Sequence, residues 1–220
     1  MLRLKNHKNV SDDICKHFNT PINRENKWGM AVFILLILDI LCMFPLLANE
    51  IKFFSYAAIP VALLINIWMV IMICKNSYDY HHTSKYIRFI GISLSGMSYC
   101  QFIVSQKMMF TAIGLHLPLI ILAIFVYCSV VFFVLRYYLS IFPAKRNASC
   151  WTVRLLMISP LTGYIVSQIA VHFSESAVGM LMSVVYLLMA CLFSFMGVKF
   201  IRKYYVMKAN QDTTDGKVRF

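Results

Sequence analysis

The sequence predicts an all-α, polytopic integral membrane bundle of six transmembrane helices with both termini cytoplasmic. Three observations predict it. The chain is 60% hydrophobic and only 14% charged over 220 residues, with mean hydropathy +0.70. Soluble domains run at about 45–50% apolar and about 25% charged, so much of this apolar surface must face something other than a watered core. Second, the apolar residues gather into six runs, each able to cross a hydrocarbon core that needs roughly 20 helical residues. Third, the basic residues alternate in density between connections, as they do when cytoplasmic loops carry the positive charge.

Each element follows in order. Residues 1–27 are polar and basic, and no signal-peptide core with a small-residue cleavage site precedes the first long run. The runs are Trp28–Ala48, Phe53–Cys74, Ile87–Ser105, Met108–Tyr137, Val153–Phe173 and Ala177–Lys199. Together they make a single transmembrane domain over 28–199. The third is the most polar, with four serines and Gln101. The fourth is long enough to tilt or to project. Residues 200–220 read as a cytoplasmic tail without regular structure. Segments 1–27, 75–88, 138–154 and 199–220, with Arg136, hold 19 of the 21 Lys and Arg residues. The connections Asn49–Lys52, Gln106–Lys107 and Ser174–Ser176 hold only Lys52 and Lys107, so these three are expected outside. Asn9-Val10-Ser11 and Asn147-Ala148-Ser149 match the glycosylation pattern but fall on the expected inner side, where the match carries no meaning.

Composition also excludes functions. A net charge of +12 would suggest nucleic acid in a soluble protein, but here the charge flanks apolar runs. The 7 cysteines are scattered without CxxC or CxxH spacing, so neither a disulfide framework nor a zinc site is signalled. His81 and His82 are adjacent in an inner loop, but no acid or cysteine completes a metal set there. No cofactor motif is present. HExxH, paired glutamates on one helix and phosphate-cradling glycine loops are absent. Ser93-Leu94-Ser95-Gly96 lacks the first glycine of the GxSG motif of rhomboid proteases.

The remaining signals are small-residue stripes and isolated polar groups. Helices in lipid associate through close packing and polar contacts rather than through the hydrophobic effect. Gly91, Ser95, Ser98, Gln101 and Ser105 share one face of the third run. Ser159, Gly163 and Ser167 recur every four residues on the fifth. Gly179, Ser183, Ala190, Ser194 and Gly197 share a face of the sixth. These stripes are expected to pack helices; the sharper alternative is a polar path along the third helix.

Asp39 is the only acid deep in a run, the twelfth of 21 residues from Trp28. A carboxylate at mid-membrane costs roughly 2.5–3.5 kcal/mol on insertion scales, so it should meet protein or carry its proton. Asn66, Ser98, Tyr99 and Tyr164 are expected at similar depth as hydrogen-bonding partners, and no Lys or Arg is. Gln101, His116 and Gln168 are expected to form a second polar layer nearer the outer face.

The reading this supports is a non-catalytic integral membrane protein. It would bind another membrane protein, or itself, through helix faces, as small toxin-immunity and conjugation-exclusion proteins do by size and topology. The bilayer is its other partner, and the cytoplasmic membrane of a bacterium its expected place. A small transporter or channel using Asp39 and the third-helix face is the alternative; an intramembrane enzyme ranks third.

Overall fold

The structure, a computed structural model, describes residues 24–48, 51–74, 80–140 and 175–217. The fifth run, with Gly163, Ser167 and Gln168, lies outside these residues. All described elements are helical: α1 (Arg24–Ile34), a π-helical segment (Leu35–Met43), α2 (Phe44–Leu47), α3 (Lys52–Cys74), α4 (Tyr80–Ile113), α5 (Leu117–Ser140) and α6 (Glu175–Lys217). α1, the π segment and α2 run on without a break as the first span. Among the described residues, five helices are long and apolar enough to cross a membrane: Lys27–Leu47, Lys52–Cys74, Ser84–Ile113, Leu117–Arg136 and Ser176–Tyr205.

Cross-contacts set the directions. Asp39 meets Asn66, and Leu46 meets Ser55, so α3 runs antiparallel to the first span. Trp68 meets Phe89 in α4, and Cys100 lies near the Ala58 carbonyl, so α4 turns back again. Ser98 meets Tyr127 of α5. Phe33 and Leu41 meet Phe193 and Tyr186, which sets α6 antiparallel to the first span and to α4.

The packing centre is the seam between α4 and α6. Gly91, Ser98, Ser105 and Ala112 lie seven residues apart on α4. Ser176, Ser183, Ala190 and Gly197 do the same on α6. A seven-residue repeat keeps one seam facing a partner under a left-handed supercoil. Small side chains let the backbones approach. A Cβ on Gly197 would lie 3.0 Å from the Ser95 nitrogen and 3.1 Å from the Gly91 carbonyl oxygen. A Cβ on Gly91 would lie 2.9 Å from the Ile201 nitrogen. One on Gly179 would lie 2.8 Å from the Ala112 Cβ. The seam is therefore tight along its full length.

Three sequence expectations change. The connection expected at Gln106–Lys107 is the interior of α4, which continues to Ile113. The break falls at Gly114, whose φ of +72° suits glycine and ends the helix, its N–H donating to the Phe110 carbonyl at 2.9 Å. Met108–Ile113 thus belongs to the third helix, and the fourth begins at Leu117. The tail expected to lack regular structure from residue 200 is helical through Lys217. Arg88 lies over the Tyr204 ring at 5.7 Å and Met207 is buried, so α4 and α6 stay packed beyond the apolar run. Finally, α4 already begins at Tyr80, so His81 and His82 lie in its first turn rather than in a loop.

Candidate functional site

The polar residues of the membrane region separate into three groups. The first is the α4–α6 seam. Ser105 Oγ donates to the Ser183 carbonyl and Ser183 Oγ to the Ser105 carbonyl, both at 2.8 Å. The two hydroxyls lie 3.1 Å apart. Ser98 Oγ donates to the Ala190 carbonyl at 2.6 Å and lies 2.9 Å from Tyr127 Oη. Ser95 Oγ bonds back to the Gly91 carbonyl of its own helix. Each hydroxyl has a backbone acceptor across or within the seam, so Gly91, Ser95, Ser98, Ser105, Gly179 and Ser183 are packing positions. Such interhelical bonds average about 0.6 kcal/mol, with a maximum near 1.7.

The second group surrounds the π segment. Its bonds reach back five residues: the Phe44 N–H donates to the Asp39 carbonyl. Pro45 ends this register, because it has no N–H to give. The Leu41 carbonyl, which an α-helix would pair with residue 45, instead accepts from Tyr186 Oη at 2.9 Å. Asp39 sits at the middle of the segment, and Asn66 Nδ2 donates to its Oδ1 at 2.9 Å. Of the expected partners, Asn66 meets Asp39. Ser98 is bound to α6, and Tyr99 Oη reaches the Ala57 carbonyl at 3.5 Å. Tyr164 lies outside the described residues. Asp39 and Asn66 are both half-buried, and neighbouring Leu35, Leu36, Ile40, Leu63, Ile67 and Val70 are exposed. Among the described helices the pair therefore lies at an outer face, in the groove between the first span and α3.

The third group carries no sequence motif that marks it as a site. Lys107 is fully buried. Its Nζ donates to the Leu46 carbonyl at 2.6 Å and to the Pro45 carbonyl at 3.1 Å. Ser55 Oγ donates to the same Leu46 carbonyl at 2.6 Å. These carbonyls lie at the end of the first span, where a helix leaves its last carbonyls without intrahelical donors, and among the described residues no backbone N–H reaches them. A lysine inside a span costs about 2.5–3.5 kcal/mol on insertion scales. Two hydrogen bonds from a charged donor, at about 1.5–3 kcal/mol each, and the negative end of the helix dipole offset that cost. This explains why Lys107 does not mark a loop. The sequence held one sign of it: residues 102–113 contain no Pro or Gly, whereas Gly114 and Pro118 follow closely.

The expected second polar layer does not form among the described residues. His116 is exposed in the turn before α5, where its carbonyl accepts from Leu119 and Ile120. Gln101 is fully buried beside the Cys42 thiol, and its amide makes no other hydrogen bond among the described residues. The Gln106 amide, Ser93 Oγ and Asn66 Oδ1 have no partner among them. No cluster of three metal-ligating side chains occurs among the described residues. No protein-family model, curated protein or solved structure matches the chain.

Proposed function

We propose that this chain is a non-catalytic integral membrane protein that acts by presenting a helix face to another membrane protein, in the manner of an immunity, exclusion or accessory factor. One observation carries the reading. Among the described helices the Asp39–Asn66 pair sits at mid-span on an outer face, rimmed by exposed leucine, isoleucine and valine, and no cation faces Asp39 there. A half-covered carboxyl in hydrocarbon is costly. A partner helix that brings a hydrogen-bond donor or a cation would remove that cost and gain specificity. The seam hydroxyls, by contrast, are spent on backbone carbonyls and offer a partner nothing.

The proposal includes six spans with both termini cytoplasmic, in a bacterial cytoplasmic membrane. The basic asymmetry supports this orientation. The antiparallel order supports the span count, since α5 ends and α6 begins at opposite ends of the bundle. A transporter or channel is the second reading, favoured by the buried amides of Gln101 and Gln106, the second without a partner among the described residues.

Photo-crosslinking residues placed at Ile40 and Leu63 test the first reading. Adducts to one defined membrane protein are expected, weakened by Asp39→Leu and retained in part by Asp39→Asn. Adducts to lipid alone, or protein adducts indifferent to Asp39→Leu, contradict it.

A further inference from the structure

We propose that the end of the first span is a binding site for a small monovalent cation, and that the protein fills it with the ammonium of its own Lys107. The inference stands apart from the partner-binding reading, because it concerns the end of the same span rather than its middle.

The ligands are oxygens. Pro45 and Leu46 supply carbonyls at the C-terminal end of a helix, and both point at Lys107 Nζ, at 3.1 and 2.6 Å. Ser55 Oγ donates to the same Leu46 oxygen at 2.6 Å and so helps fix its position from α3. Carbonyls at an exposed helix end carry partial negative charge, and in membrane bundles such ends coordinate alkali cations. The set is also held in place from elsewhere. Pro45 fixes the local backbone, and Tyr186 secures the Leu41 carbonyl one turn earlier. Ser55 comes from α3 and Lys107 from α4, so the cation position joins three helices. Leu46, Ser55 and Lys107 are all buried, which keeps bulk water away. No acidic side chain pairs with Lys107 among the described residues, where two backbone carbonyls accept from it.

A cation site differs from a mere lysine contact in a measurable way. If the oxygens require a cation, a free one must replace the lost side chain. Lys107→Ala opens the space that the side chain fills. Lys107→Met fills the same space without charge. Both variants, purified in detergent, are compared with the wild type by thermal unfolding and by the yield of monodisperse protein. The salts are ethylammonium, potassium and choline chloride at equal ionic strength.

Wild type is expected to unfold at one temperature in all three salts. Lys107→Ala is expected to lose roughly 5 °C or more in choline and to recover at least half of that in ethylammonium or potassium. Lys107→Met is expected to fall as far and to recover in none. If Lys107→Ala fails to fold in choline, recovered monodisperse yield with ethylammonium or potassium is the supporting result. The proposal is overturned if Lys107→Met is as stable as wild type. It is equally overturned if choline rescues Lys107→Ala as well as the small cations do, or if no cation rescues it.

Discussion

The seam between α4 and α6 and the groove between the first span and α3 use polar residues in opposite ways. In the seam, small residues at seven-residue spacing bring two backbones together, and each hydroxyl ends on a carbonyl. In the groove, the helix leaves the α register at Leu35–Met43, a proline ends it, and Asp39 rests on one amide whose own oxygen has no partner among the described residues. The hydroxyls of Ser95, Ser98, Ser105 and Ser183 are satisfied within the seam. The groove keeps a half-buried carboxyl that makes one hydrogen bond among the described residues, and behind it a buried Asn66 oxygen without a partner there. Closed polar groups hold the bundle together, and open ones mark where something else can bind.

The largest expected effect is steric and falls on the seam. Gly197→Leu drives a side chain into the backbone at Ser95 and Gly91, which cannot move aside as a flexible side chain would. It should cost about 3 kcal/mol or more, or abolish folding. Gly29, which has no atom within 4 Å of its added Cβ, is the internal control. Gly29→Leu should stay within about 0.5 kcal/mol in the same thermal unfolding assay. Equal losses for the two glycines would remove the distinction between the regions.

The next effect belongs to the groove. Asp39→Leu leaves the Asn66 amide without its acceptor and should cost about 1–3 kcal/mol. Asp39→Asn preserves an acceptor and should cost less. A Leu variant as stable as wild type would mean that the pair holds nothing together. A smaller effect is expected for the seam hydroxyls. Ser105→Ala and Ser183→Ala should each cost about 0.6 kcal/mol, and a double-mutant cycle should reveal a coupling of the same order. The smallest concerns Pro45. Pro45→Ala restores a donor for the Leu41 carbonyl, so Tyr186→Phe should destabilise less in that background than in wild type. An unchanged Tyr186→Phe penalty would show that the hydroxyl does not stand in for the missing N–H.

The seam was the more legible region. Glycine and serine at helical spacing can be read from residue identities alone, because small size is what close packing selects. Gly91, Ser98 and Ser105 against Ser183 and Gly197 follow from that, although the repeat of seven that pairs the two stripes was not read. Asp39 was legible as a residue that must find a partner, and Asn66 was among those expected. The π register was not legible, since it depends on where Pro45 breaks the bonding ladder and on Tyr186 arriving from a distant helix. Lys107 misled for a related reason. A charge in an apolar stretch normally signals a loop, and only the fold brings two free carbonyls to it. His116 was placed too deep because the break at Gly114 moves it into a turn.

Proton and potassium flux into vesicles containing the purified protein tests most directly whether the groove is a contact surface rather than a conduction path. With wild type, imposed pH and potassium gradients are expected to decay as slowly as in protein-free vesicles, and Asp39→Asn is expected to change nothing. Faster decay with wild type that Asp39→Asn abolishes would contradict it and make Asp39 part of a transport path.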